Sequence, residues 1–373
     1  MNSLLVSDAV VNGAICLPRA MISGPTCTIL RLEGSPQEIG RAQAAFILSN
    51  ETFANTASLR NWKANLGKPP HSDSLAEAVE WWNADLLDEI STAAEAIGVT
   101  VAAILDSHLP RTTGDGPDES GCTMVGIADG GMAVAAAGCA IVGRNFDLGY
   151  SRADVRILPT HPERGLASFG CGGWFGRFDG MNESGLVATM AIVETRRTTP
   201  AEPGAIPPTL VIRTLLDRAG TPREALSLIR RIPAWSPTNY LIAGPFDPPV
   251  VVERGPGQFR MRSPCGRLVA ATNHFLGTDD ARRASLYRYE VATSRDAARL
   301  ATAPGMMSLL HEAADPRLTR WTEVFVPADR TVHFSGGYGA SFLKFKVTAA
   351  AEAAGGRGAV AGPLPYRTDD VPV

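Results

Sequence analysis

The spacing of apolar positions changes character about a third of the way along this chain. Up to residue 105 it follows a helical period, and beyond residue 121 it becomes short alternating or continuous runs. After a strand-like TCTILRLEG comes SPQEIGRAQAAFILSN, where Ser35 and Glu38 have capping-box spacing and Pro36 takes the first helical position. A second helix is predicted near 74–97, SLAEAVEWWNADLLDEISTAAEAI.

Residues 107–121, SHLPRTTGDGPDESG, are dense in Pro, Gly, Asp and Ser and read as an exposed, mobile connector. Beyond it, strands are predicted at 122–128, 132–142, 153–159, 185–194, 239–243, 249–254, 258–263, 267–272, 322–327 and 331–335. Helices are expected near 208–230 and 279–292, and the tail 349–373 is low in complexity. No internal repeat is visible. A helical first third followed by many strands, with the helices in blocks, implies stacked sheets covered by helices in one domain whose halves need each other.

Composition narrows the function classes. The chain has 373 residues, 45% hydrophobic and 20% charged, with a formal net charge of -3 and both signs interspersed. That balance points to neither nucleic acid nor an anionic membrane as partner. No apolar run approaches the ~18–20 residues that span a bilayer. The start MNSLLVSDAVVNGAICLPRAM lacks a basic leader region and reads as mature, cytoplasmic protein, and the richness in Ala, Gly, Pro and Arg hints at a bacterial source. Six cysteines (16, 27, 122, 139, 171 and 265) show no CxxC spacing and six histidines no HExxH pairing, so neither a disulfide framework nor a metal site is expected.

Candidate chemistry begins at DESGCTMVG. A core cysteine belongs inside an apolar run, but Cys122 opens one, directly behind Gly121 and the connector. Were the Gly121–Cys122 bond cut, Cys122 would carry a thiol and a free α-amine. That amine has a reference pKa near 7.7–8.0 and can take the thiol's proton itself. Arg144 and Asp147, in GRNFDLGY, lie at the expected end of the next strand. A cation there would lower the thiol pKa, and a carboxylate would orient the amine. Asn182, in DGMNESGL, falls in a turn between strand-like segments, and Asn273, in LVAATNHF, closes an apolar strand where its carboxamide could donate to an oxyanion. Ser285 and Arg288 share a helical face in ARRASLYRYE. Each of these also has a bland reading, as a turn, a strand end or an ordinary basic helix. GCGGWFG (170–176) misses the dinucleotide pattern and reads as a flexible, substrate-facing turn carrying Trp174 and Phe175.

Taken in order, LRLEGSPQEIGRAQA, SGCTMV, GRNFDL, GMNESGL, TNYLIA with VVVERGPG, LVAATNHF and SLYRY resemble the acyl-coenzyme A:6-aminopenicillanic acid acyltransferase-like branch of the N-terminal nucleophile (Ntn) hydrolases, relatives of choloylglycine hydrolase. The resemblance spans roughly residues 28–335. It implies an α+β, four-layer αββα sandwich of two stacked, mainly antiparallel sheets. It further implies a precursor that cuts itself between Gly121 and Cys122 into an α chain, 1–121, and a β chain, 122–348 plus the tail.

By the same resemblance Cys122 is the nucleophile, Arg144, Asp147, Asn182 and Asn273 are site residues, and Arg288 is a second arginine, with Arg282 and Arg283 close by. No cofactor is implied. The partner is a small-molecule amide or thioester, acyl-coenzyme A would enter as substrate, and a homo-oligomer is compatible with the sequence. The gap from Cys122 to GRNFDL is longer than in choloylglycine hydrolases, and TNHF lacks their proline, so bile-salt hydrolysis is not implied. Two rival readings stand beside this one: an uncut Cys–His hydrolase using His274, and a non-catalytic small-molecule-binding protein on the same scaffold.

Overall fold

The computed structural model describes residues 9–11, 14–16, 27–49, 53–64, 74–109, 121–129, 138–147, 155–193, 200–278 and 281–348. Most of the expected connector (110–120) and the whole tail lie outside these residues, as does the 132–137 part of one expected strand.

Local signals set the helix ends. The Ser35 amide donates to Glu38 Oε2 at 2.8 Å and the Glu38 amide to Ser35 Oγ at 3.3 Å, the reciprocal cap that starts the Pro36–Ser49 helix. The Leu75–Ile97 helix stops at Gly98, whose φ of 76° suits a residue without a Cβ. Asn83 leaves helical geometry inside it, and its Oδ1 accepts from the Leu86 amide at 3.3 Å, capping the second half. The single helix expected near 208–230 is two, Pro208–Arg218 and Pro222–Arg231. Thr221 and Glu224 form a capping box behind Gly220, and a new cap ends one helix and begins another.

Two sheets form the centre. The larger has ten strands, in the order Gln258–Arg262, Asp247–Gly255, Thr238–Gly244, Val187–Ile192, Asp179–Asn182, Ser168–Cys171, Val155–Ile157 and Cys27–Ile29. Leu32–Gly34 and Thr160–Pro162 extend it; the Cys27–Ile29 and Leu32–Gly34 pairings are parallel and the others antiparallel. The smaller sheet is antiparallel throughout: Leu268–Ala271, Gly121–Ala128, Cys139–Asp147, Thr319–Val326, Thr331–Ser335 and Leu343–Lys346.

Three cores separate four layers. Helices Pro36–Ser49, Leu75–Ile97, Pro208–Arg218 and Pro222–Arg231 cover the outer face of the larger sheet, meeting Ala188, Met190, Tyr240 and Ile242. Helices Arg283–Thr293 and Ala303–Ala313 cover the smaller sheet, where Ala292, Met306 and Leu310 meet Val125, Ile127, Ile141 and Val324. Between the sheets lie Cys122, Met124, Phe146, Met181, Val187, Leu241, Trp321 and Phe325. This is the α+β sandwich of two stacked sheets.

Because successive side chains on a strand point to opposite faces, parity assigns each residue to a core. In Gly121–Ala128 the even positions Cys122 and Met124 face the other sheet, and the odd positions Val125 and Ile127 face helices. A strand buried on both faces reads as a continuous apolar run, the pattern of GCTMVGIA. The strand expected at 132–142 is found as Cys139–Asp147, with Arg144 and Asn145 in its second half and Asp147 closing it.

Candidate active site

Cys122 is 7% exposed, with its thiol in the layer between the sheets. Arg144 lies two residues along the neighbouring strand from Phe146, the register partner of Cys122, and so shares its face. The fully buried guanidinium donates through Nη2 to Cys122 Sγ at 3.5 Å and to the Met190 carbonyl at 3.1 Å, while Nη1 pairs with Asp179. Burial pushes the thiol pKa up, and the charge of Arg144 pulls it back down.

The backbone nitrogen of Cys122 faces a different set. Its N–H donates to Asn273 Oδ1 at 2.6 Å, and Arg288 Nη2 donates to the same oxygen at 2.9 Å. Two donors on one atom identify it as the carboxamide oxygen. Asn273 Nδ2 donates to the Ile192 carbonyl at 2.9 Å, and the Asn273 amide to Ser285 Oγ at 2.9 Å, which fixes the residue at the strand end. Arg288 also approaches Asp147, Nε to Oδ2 at 3.8 Å. Asp147 Oδ1 accepts from Thr319 Oγ1 at 2.7 Å, and Oδ2 has no hydrogen-bond donor among the described residues. Burial raises the Asp147 pKa from 3.8 to about 6 against the pull of Arg288. Gly121, the register partner of Asp147, lies directly beneath the Arg288 guanidinium.

The structure thus brings together Gly121, Cys122, Arg144, Asp147, Asn273 and Arg288. Of the three neighbouring arginines, Arg288 is the one buried against Asn273, whereas Arg283 is exposed at the helix start. Asn182 stands elsewhere. It lies at the end of the Asp179–Asn182 strand, and parity turns its side chain to the helical layer. There Nδ2 donates to the Leu216 and Ala219 carbonyls at 3.1 and 2.7 Å, and Oδ1 accepts from the Ser184 and Leu186 amides.

Trp174 and Phe175, expected on a flexible turn, are 3% and 0% exposed in the core between helices and larger sheet. Phe46 meets Trp174 at 5.8 Å between ring centroids, and the Phe175 amide donates to Gln43 Oε1 at 3.3 Å. His274, adjacent to Asn273, has Nδ1 engaged by Ser285 Oγ at 2.8 Å and Thr272 Oγ1 at 3.1 Å, and its ring stands edge-on to Tyr289.

Three further residues complete the surroundings of Arg144, and the sequence reading missed them. Asp179 comes from the larger sheet, and Trp321 and Glu323 from the smaller. Trp321 Nε1 lies 3.2 Å from both Asp179 Oδ2 and Glu323 Oε2, and its ring stacks on Phe146 at 3.9 Å. Alternation in TRWTEVFV was the signal available: Trp321, Glu323 and Phe325 share one face. Cys171 joins the two carboxylates, with potential ligand atoms within 4.8 Å of one another. The Arg144 and Trp321 N–H groups already point at those oxygens, which suits a carboxyl pair better than a cation.

Residues 134–311 match the family model described as acyl-coenzyme A:6-aminopenicillanic acid acyl-transferase. That span holds Arg144, Asp147, Asn182, Asn273 and Arg288 and begins after Cys122. No curated protein matches the chain. Among solved structures, an N-acylethanolamine-hydrolyzing acid amidase ortholog of Caenorhabditis elegans is 15% identical, covers 56% of this chain and 93% of its own, and has a TM-score of 0.43. Penicillin V acylase from Agrobacterium tumefaciens is 15% identical, with 60% and 86% covered and a TM-score of 0.41. A mutant of the conjugated bile acid hydrolase from Clostridium perfringens is 15% identical, with 60% and 92% covered and a TM-score of 0.45. Among the described residues no helix is long and apolar enough to cross a membrane. Over residues 134–311, just under half of its length, the chain is similar to the acyl-coenzyme A:6-aminopenicillanic acid acyl-transferase family.

Proposed function

We infer that the protein is a self-processing N-terminal-cysteine enzyme that takes an acyl group from an amide or thioester onto Cys122. One observation carries this reading. The two groups that cleavage would turn into nucleophile and base, the Cys122 thiol and nitrogen, already have separate partners, Arg144 on the sulfur and Asn273 on the nitrogen.

In the precursor, the sulfur of Cys122 attacks the Gly121 carbonyl carbon and its proton passes to the departing nitrogen. The C–N bond breaks, leaving a thioester and a free α-amine. Water then hydrolyses the thioester, giving a Gly121 carboxylate and a restored thiol. In the mature enzyme the α-amine accepts the thiol proton as sulfur attacks the substrate carbonyl, then delivers it to the leaving amine or thiolate. Asn273 keeps one Nδ2 hydrogen beyond that given to Ile192, suited to the tetrahedral oxyanion. Asp147 Oδ2, without a hydrogen-bond donor among the described residues of the uncut chain, is an acceptor ready for the new ammonium. Water or an amine then resolves the acyl-enzyme.

Intact mass tests the reading. Active protein should consist of a piece ending at Gly121 and a piece beginning at Cys122. A single uncut chain with full activity, or full activity in Cys122→Ala, overturns it.

A further inference from the structure

Behind Arg144 the two sheets meet through a pair of buried carboxyl groups. Asp179 projects from the larger sheet and Glu323 from the smaller, where it is the register partner of Arg144, and both are fully buried. One oxygen of each, Asp179 Oδ2 and Glu323 Oε2, is reached by the Trp321 N–H, and Asp179 Oδ2 also by Arg144. Cys171 also bears on the pair, its backbone N–H on Asp179 and its thiol on Glu323, while Asp179 Oδ1 and Glu323 Oε1 have no well-aligned hydrogen bond among the described residues. A proton held between the carboxyls supplies the missing donor. Two bare carboxylates with one guanidinium would leave a net charge in the dry inter-sheet layer, which burial strongly disfavours.

We propose that Asp179 and Glu323 hold one proton between them and so present Arg144 with a single negative charge, which leaves its Nη2 arm able to favour the Cys122 thiolate. The inference rests on the reading of Cys122 as nucleophile, but it concerns the thiol itself and is measurable whether or not the chain is cut. Burial and the facing Asp179 carboxylate push Glu323 well above the usual carboxylate range, in keeping with this. The charged and titratable groups around the pair are Arg144 and the thiols of Cys171 and Cys122; Asp147 and Arg288 act on Cys122 from the other side. Asp179 and Glu323 are thus positioning residues, acting on the thiol through Arg144.

The test follows the pH dependence of Cys122 alkylation by iodoacetamide, read by peptide mass, with the exposed thiol of Cys265 as internal reference. Glu323→Gln alone and Asp179→Asn alone should each leave the Cys122 midpoint in place, because the remaining carboxyl carries the one charge. The double variant should lower the midpoint, since the thiolate becomes the nearest counter-ion for Arg144. At a fixed pH below the midpoint, alkylation should then run faster by about tenfold for every pH unit that the midpoint falls. A fall in either single variant means two charges, and an unmoved midpoint in the double variant means that the pair does not act on the thiol; either result overturns the proposal. Infrared spectra provide a second check should the double variant not fold. The wild type should show a protonated-carboxyl band at neutral pH that each single variant loses, and its absence from the wild type also overturns the proposal. An uncut chain that gives these alkylation midpoints would refute self-processing and leave the shared proton standing.

Discussion

Arg288 lies where any side chain on Gly121 would have to go. A Cβ added to Gly121 would be 1.9 Å from Arg288 Nη2 and 2.8 Å from Asn273 Oδ1, the atom that holds the Cys122 nitrogen. Gly121→Ala should therefore push the guanidinium off Asn273 and leave the chain uncut or slowly cut. Two bands on a denaturing gel at the wild-type rate would contradict this. The strain belongs to the overpacking class, about 1–3 kcal/mol, so the fold should survive.

Asn273→Ala removes the acceptor shared by the Cys122 nitrogen and Arg288 and the donor to the Ile192 carbonyl. On the proposed mechanism turnover should fall by about 10²–10³, the scale for losing one oxyanion donor. Steady-state kinetics on any amide or thioester that the wild type turns over would measure it.

Asp147 gives the site a pH dependence with a definite sign. Its carboxyl, raised from 3.8 to about 6, is protonated below that value and on the proposed mechanism could then no longer hold an α-ammonium, so activity should rise with pH through about 6. Stability runs the other way. Between 3.8 and about 6 the folded state keeps a proton that the unfolded chain has lost, so this group's contribution falls as pH rises through that window and is level above it. Asp147→Asn should show low, pH-flat activity and a smaller drop in Tm from pH 4 to pH 6 than the wild type.

His274→Ala separates two cysteine chemistries. With its Nδ1 engaged by Ser285 and Thr272, the ring supports the strand end that carries Asn273. The variant should lose about 1–2 kcal/mol of stability and keep most of its activity. Near-complete loss of turnover in a folded variant would instead identify His274 as the base of an uncut Cys–His hydrolase.

Asn182→Ala should behave as a structural lesion. It strips partners from the Leu216 and Ala219 carbonyls and from the Ser184 and Leu186 amides, none of which touches Cys122. A drop of about 2–4 kcal/mol in unfolding free energy is expected, with the pH dependence of Cys122 alkylation unchanged.

Strong local signals carried over from sequence to structure, and long-range ones did not. The Ser35–Glu38 cap and the apolar run of the Cys122 strand are local, and both appear where expected. Strands of three or four residues, such as Thr160–Pro162 and Ser168–Cys171, are too short for period two to register. GCGGWFG was misleading because glycine usually marks exposed mobility, whereas here Phe175, with a φ of 70°, and Trp174 are buried. Asp179 lies outside every expected strand, and Glu323 is a single polar position within one, so neither carries a signal of its own. Their meaning arises only when two sheets are stacked, and no single stretch of chain contains that information.

The Cys27–Ile29 and Leu32–Gly34 strands belong to the larger sheet, and helices Pro36–Ser49 and Leu75–Ile97 fill one of the three cores with residues from beyond position 121. A break between Gly121 and Cys122 would therefore change covalent connectivity without creating separable parts. The two pieces would share ladders and core, so they should travel as one particle through any native column and part only on unfolding. Neither would be expected to refold without the other.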